Sequence, residues 1–171
     1  MSDHFERAVE TYGDMLFRIS LTLLADTYDA EDAVQETFYR YVAKAHHFTG
    51  DEHRKAWLLR VCSNICKDML RRRVRDVHLR LDDLTDYGIP DEEVGVLDAI
   101  MSLPVIYREV VLMHYVEDYK VAEIAEILQI TPSAVKKRLQ YARDKLRIQL
   151  DEVESLKGDE DAGQHIEADH G

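Results

Sequence analysis

The chain has little of what usually punctuates or cross-links a fold. Its 171 residues include seven glycines, three prolines and two cysteines. So few turn-formers argue against a protein of many hairpins and favour long helices. Cys62 and Cys66, four positions apart, make no disulfide framework, which fits a reducing cytoplasm. No apolar run is long enough to cross a bilayer, so no membrane insertion is expected. The charged start, MSDHFERAVE, lacks a signal-peptide layout. A glycine-rich phosphate loop, a Ser/His/Asp set and a paired-acid cleft are also missing, so neither intrinsic enzymatic activity nor a cofactor is expected. His46, His47 and His53 cluster near a turn, but their spacing is not that of a standard metal site, and they are expected to be surface residues.

What the chain does have is charge, arranged in blocks. Its formal net charge is −12. Residues 54–80 nevertheless carry nine basic and two acidic side chains, and residues 131–150 carry six and one. Acidic segments at 1–53, 81–130 and 151–171 surround these two islands. Attraction to phosphate acts over a Debye length of roughly 8–10 Å. Local blocks therefore matter more than the net value, and two islands suggest two contacts with one polyanion.

Apolar periodicity divides the chain into helices. Val9, Tyr12, Leu16, Ile19 and Leu23 recur at three- and four-residue steps in 5–24. Asp29 could cap the next helix, 30–48, whose stripe is Ala30, Val34, Phe38, Tyr41 and Ala45. Gly50 interrupts the pattern. A third helix over 52–75 would bury Leu58, Val61, Cys62, Ile65 and Met69, with Trp57 in a core role. Residues 81–95 (LDDLTDYGIPDEEVG) lose the period and read as an acidic linker. Leu97, Ile100, Met101 and Leu103 open a second helical unit, and Pro104 can start the helix 105–117 at its first turn. The tail 151–171 is acidic, loses its period after Leu156 and is expected to be disordered.

The stretch 120–150 has the form of a helix-turn-helix. Val121, Ile124, Ala125 and Leu128 face inward on a short helix, followed by a tight turn at 129–131. Thr131 is a good cap and Pro132 a good first residue for the second helix. That helix would bury Val135, Leu139, Ala142 and Leu146, leaving Ser133, Lys136, Lys137, Gln140 and Tyr141 outside. A helix with small and basic side chains in its first turns suits the major groove, where N-terminal side chains reach base edges. Arg138, Arg143, Lys145 and Arg147 stand where they could hold phosphates.

The stretches 28-YDAEDAVQETFYRYVAKAHHF-48 and 56-AWLLRVCSNICKDMLRRR-73 resemble region 2 of the bacterial extracytoplasmic-function (ECF) sigma factors. The stretch 103-LPVIYREVVLMHYVEDYKVAEIAEILQITPSAVKKRLQYARDKLR-147 resembles their region 4. The likeness covers about residues 5–148 in the family's order. Gln129 departs from it, standing where a turn glycine is common, and Gln140 and Tyr141 stand where larger basic or aromatic pairs are frequent.

The resemblance implies an all-α chain of two small helical domains. Region 2 would occupy 1–80, the linker 81–95 and region 4 residues 96–150, with the tail at 151–171. It implies a dissociable subunit of RNA polymerase that directs promoter-specific initiation. Its partners would be core RNA polymerase, promoter DNA and an anti-sigma factor. Glu31, Asp32, Gln35 and Glu36 would bind the core. Asn64, Lys67 and Asp68, on one side of the third helix, would meet an extruded −10 base, with Arg71, Arg72, Arg73 and Arg75 on phosphates. Ser133, Lys136, Lys137, Arg138, Gln140, Tyr141 and Arg143 would meet the −35 element. Two other readings of the residues are a helix-turn-helix regulator acting without core polymerase and a sigma mimic that titrates an anti-sigma factor. The retained runs Arg71–Arg73 and Lys136–Arg138 argue against the mimic.

Overall fold

The computed structural model describes residues 2–43, 47–73 and 98–147, and every regular element among them is helical. The linker 81–95, the tail 151–171, His46 and Arg75 lie outside the described residues.

Three long helices form the first half: α1 (Ser2–Leu24), α2 (Thr27–Ala43) and α3 (Asp51–Arg72). Tyr12, Leu16, Ile19 and Leu23 are buried along α1, as their spacing predicts. Val9 is not; it is 37% exposed, and Ala8 takes the inward place. Val9 instead lines an apolar groove with Phe5, Val34, Phe38 and Val42. The start of α2 also differs from expectation. The Asp26 carboxylate accepts the Asp29 N–H at 2.9 Å and so caps the helix, while Asp29 pairs with Arg73. The inward face of α2 is Ala30, Ala33, Thr37 and Phe38.

Helix α3 follows Gly50 and ends at Arg72, three residues before the sequence pattern does, because Arg73 turns to an extended conformation. It buries Leu58, Leu59, Cys62, Ser63, Ile65 and Cys66. That face is wider than the single stripe its sequence suggests because α3 packs against α1 and α2 and against the second half as well. Trp57 is partly buried against the same core, 5.8 Å from the Phe48 ring and 6.3 Å from the Tyr41 ring.

The second half comprises α4 (98–102), α5 (Val105–Val111), α6 (Val121–Leu128) and α7 (132–147). Pro104 stands at the N-cap position, one residue outside the first turn of α5, and makes no side-chain capping bond. Beyond α5 the chain widens through Leu112–Val116, and the Glu117 N–H reaches back five residues to the Leu112 carbonyl at 3.0 Å. At the start of α6 the Glu123 carboxylate accepts the Lys120 N–H at 2.7 Å.

The two halves share one core. Leu16, Leu23 and Leu58 belong to the same buried cluster as Val110, Met113, Ile124 and Ile127. Met101 packs with Leu21 and Ala30 in a second cluster that also joins the halves. Each half further caps a helix of the other. Arg108 donates to the Thr22 and Leu23 carbonyls at the end of α1, at 2.9 and 3.2 Å. Arg60 of α3 donates to the Ile127 and Glu126 carbonyls at the end of α6, at 2.9 and 3.1 Å. A cation at a helix C-terminus satisfies orphan carbonyls and meets the negative end of the dipole.

Candidate nucleic-acid interface

The geometry of α7 follows from its first residues. Gln129 adopts the left-handed conformation (φ 57°, ψ 43°), and the Ile130 N–H closes the turn on the Ala125 carbonyl at 3.1 Å. Glutamine thus takes the backbone shape for which glycine is the usual residue. Thr131 Oγ1 then accepts the Ala134 N–H at 3.1 Å, so Thr131 caps α7 and Pro132 begins it. Val135, Leu139 and Ala142 are buried, and Leu146 packs against a neighbouring cluster. This register leaves Ser133, Lys136, Lys137 and Gln140 in solvent. Tyr141 is 40% exposed, its ring stacked on Tyr107 at 4.2 Å and approached by Lys145. Arg143 donates to the Tyr115 hydroxyl at 3.3 Å.

Arg138 does not share this outer face. It is half-buried and points at Glu109, with its Nη1 3.3 Å from Oε1. Glu109 is 1% exposed and also accepts from Ser63 Oγ at 2.7 Å and Lys67 Nζ at 3.1 Å. A buried carboxylate needs such partners, since leaving it unpaired costs several kcal/mol.

The third helix is likewise split. Asn64 and Asp68 are exposed, but the Lys67 side chain is 18% exposed and faces Glu109. Asn64, Lys67 and Asp68 therefore do not form one surface. Lys67 is drawn to the buried acid, while Asp68 pairs with Arg71 at 2.6 Å. Asp68 and Arg72 line a groove between α2 and α3 together with Asp32, Gln35, Glu36 and Tyr39. Arg73 turns inward, donating to the Leu24 carbonyl at 3.2 Å and pairing with Asp29, so it is engaged within the fold. On α2, Glu31, Asp32 and Gln35 are exposed, and Glu36 holds Arg40 at 2.8 Å.

Sequence reasoning missed Glu109, Arg60 and Arg108. Glu109 lies four residues from Val105 and from Met113, in step with an apolar stripe, and that position is the signal of a buried acid. Cys62 and Cys66 pack as core residues, with Cys62 Sγ 3.0 Å from Ser20 Oγ. A hydrogen bond with Cys62, together with burial, pushes the Cys66 thiol far above its ordinary value, which leaves it a poor nucleophile.

Two helical units, one ending in a helix-turn-helix with a basic outer face, give the chain the form of a DNA-binding protein. The comparisons with known proteins agree. The family model described as Sigma-70 region 2 matches residues 8–76, and that described as Sigma-70, region 4 matches 94–146. The ECF RNA polymerase sigma factor SigL of Mycobacterium tuberculosis is 35% identical, over 84% of this chain and 87% of that protein. SigW of Bacillus subtilis is 29% identical, over 86% and 89%. Among solved structures, the sigma factor RpoE in complex with the anti-sigma factor NepR from Bartonella quintana has the same fold (TM-score 0.69, 22% identity, 86% of this chain and 97% of that one). CnrH in complex with the cytosolic domain of CnrY gives a TM-score of 0.68 at 26% identity, over 88% and 90%.

The chain belongs to the ECF sigma factors of RNA polymerase. It is a transcription initiation factor, not an enzyme, with core RNA polymerase and promoter DNA as its partners. No described helix is long and apolar enough to cross a membrane.

Proposed function

We propose that the two activities of this sigma factor are divided between separate surfaces. Glu31, Asp32, Gln35 and Glu36 on α2 dock on a basic helix of core polymerase, where complementary charge sets orientation and speeds encounter. Asn64, Lys67, Asp68, Arg71 and Arg72 serve the −10 element, with Arg73 acting through the position of α3. Asn64 carries both a donor and an acceptor and so suits the Watson–Crick edge of a flipped base. Ser133, Lys136, Lys137 and Gln140 read the −35 element, and Arg138, Tyr141 and Arg143 flank them. The observation that carries this reading is the register of α7. Burial of Val135, Leu139 and Ala142 turns the small and basic first-turn side chains outward together.

Regulation by an anti-sigma factor, within the cytoplasm, belongs to the same reading. Its support is that RpoE and CnrH, which share this fold, were solved with NepR and the cytosolic domain of CnrY. The test of the docking surface is co-elution of the chain with bacterial core RNA polymerase on size exclusion, beside an Asp32→Arg, Glu36→Arg variant. Wild-type co-elution that is lost in the variant supports the assignment. Co-elution unchanged by the two reversals moves the main contact elsewhere.

A further inference from the structure

The proposed −10 and −35 surfaces are held against each other here. Elements named −10 and −35 are about 25 base pairs apart, roughly 85 Å of duplex at 3.4 Å per step. Yet Lys67 of α3 and Arg138 of α7 bind the same carboxylate, at 3.1 and 3.3 Å. In this arrangement the chain cannot touch both elements at once. The 24 residues from 74 to 97 join α3 to α4, and a chain of that length can extend by at most about 80 Å. The covalent connection therefore permits the halves to separate.

We propose that Glu109 is an autoinhibitory latch: it holds the free sigma factor closed by capturing one cation from each DNA-facing helix, and opening returns both cations to DNA. This inference rests on the assignment of α3 and α7 to promoter DNA.

Glu109 belongs to the second half, and Ser63 and Lys67 reach it from the first. Around it the closure has independent supports. Arg60 caps α6, Arg108 caps α1, and Arg18 and Lys55 both pair with Glu117 across the halves. Separation hydrates Glu109 and releases Lys67 outright. Arg138 stays near Glu109, but an ion pair exposed to water is worth only about 0–1 kcal/mol, so phosphate can compete for the guanidinium. In the closed state the same pair is desolvated and shielded from salt.

The latch makes a prediction that charge alone does not. Glu109→Gln removes a negative charge, and simple electrostatics would also have it bind DNA more tightly. Arg60→Ala removes a positive charge, and electrostatics would have it bind more weakly. Among the described residues Arg60 bonds only main-chain carbonyls of α6, and it lies outside the proposed DNA surfaces, so a gain on its removal reports opening.

The experiment uses the full chain in three forms: wild type, Glu109→Gln and Arg60→Ala. Circular dichroism checks that helicity is kept. Small-angle scattering gives the radius of gyration, and anisotropy with a fluorescent mixed-sequence duplex at low salt gives affinity. Both variants are expected to be more extended than the wild type and to bind on the order of tenfold more tightly, because affinity rises with the fraction of open chain. Unchanged radii in both variants overturn the latch. Tighter binding by Glu109→Gln with weaker binding by Arg60→Ala reduces the effect to charge and overturns it too. Expansion without a gain in binding overturns the inhibitory role. In that case Lys136→Ala with Lys137→Ala in the same assay separates the two failures. If that pair still weakens binding, the DNA face of α7 stands and only the latch falls.

Discussion

Arg108 donates to the carbonyl of Thr22 at 2.9 Å, joining residues 86 positions apart. The same guanidinium reaches the Leu23 carbonyl at 3.2 Å and the Leu103 carbonyl at 2.8 Å. Burial lowers its pKa from the ordinary arginine value, but arginine stays charged at any physiological pH. Arg108→Ala leaves these carbonyls without their charged donor, which costs about 1.5–3 kcal/mol for such bonds. The midpoint of urea unfolding should drop accordingly. Arg108→Lys should recover little, because an ammonium cannot span three carbonyls as a planar fork does. Full recovery by lysine would show that charge, not fork geometry, is what α1 requires.

The exposed first turns of α7 predict a graded loss. Lys136→Ala with Lys137→Ala should weaken holoenzyme binding to a −35-dependent promoter and reduce transcription from it. Two lost phosphate contacts should also reduce the slope of log affinity against log salt by about 2. If the two lysines touch base edges instead, the salt slope will hold while discrimination among −35 sequences relaxes. Initiation unaffected by the double change would remove α7 from promoter recognition.

The legibility of the chain followed the range of the interactions. The course of α7 could be read from a few neighbours. Thr131 and Pro132 mark its start, and the four-residue steps of Val135, Leu139 and Ala142 set its buried face. The start of α2 was harder, since Asp26 and Asp29 are chemically equivalent caps and the choice depends on where the preceding helix releases the chain. The sequence puts Lys67 beside the −10 base and Arg138 on a phosphate, because a lone cation in a basic run gives no sign of its partner. That partner, Glu109, lies 29 positions from Arg138 and in the other half of the molecule from Lys67. Pattern reading locates helix faces, but it does not say which faces meet when two amphipathic units pack together.

The turn before α7 carries strain that can be measured. Gln129 at φ 57° pays the penalty of a left-handed side-chain residue, about 1–2 kcal/mol. Gln129→Gly removes that strain and adds some freedom to the unfolded chain, so a net gain of about 0.5–1 kcal/mol is expected. Thr131→Ala, two residues on, should lose about 1 kcal/mol with its cap bond to Ala134. Chemical denaturation of the two variants beside the wild type should give shifts of opposite sign. A destabilising Gln129→Gly would mean that the glutamine side chain contributes more than its backbone strain costs.

Tyr119 offers a test through pH. The residue is 7% exposed, and its hydroxyl has no hydrogen-bond partner among the described residues. Burial pushes the phenol well above its ordinary value, and the negative charges of Glu52, Glu117 and Glu123 push it the same way. Burial, with Asp51 beside it, also raises Tyr12. A phenol raised in the folded state is neutral there while the unfolded chain ionises near pH 10. Stability from this source is therefore complete below about pH 10 and falls as pH climbs through the alkaline range. Tyr119→Phe deletes both the unpaired hydroxyl and the titration. It should match or exceed the wild type by up to about 1–3 kcal/mol at neutral pH, since a buried donor without a partner costs that much. Its stability should also decline less steeply above pH 10 than that of the wild type. Denaturant midpoints for both proteins between neutral pH and the alkaline limit of folding decide the matter. Parallel curves would mean that the Tyr119 hydroxyl reaches water in solution, and a weaker Phe variant at neutral pH would mean that it finds a partner there.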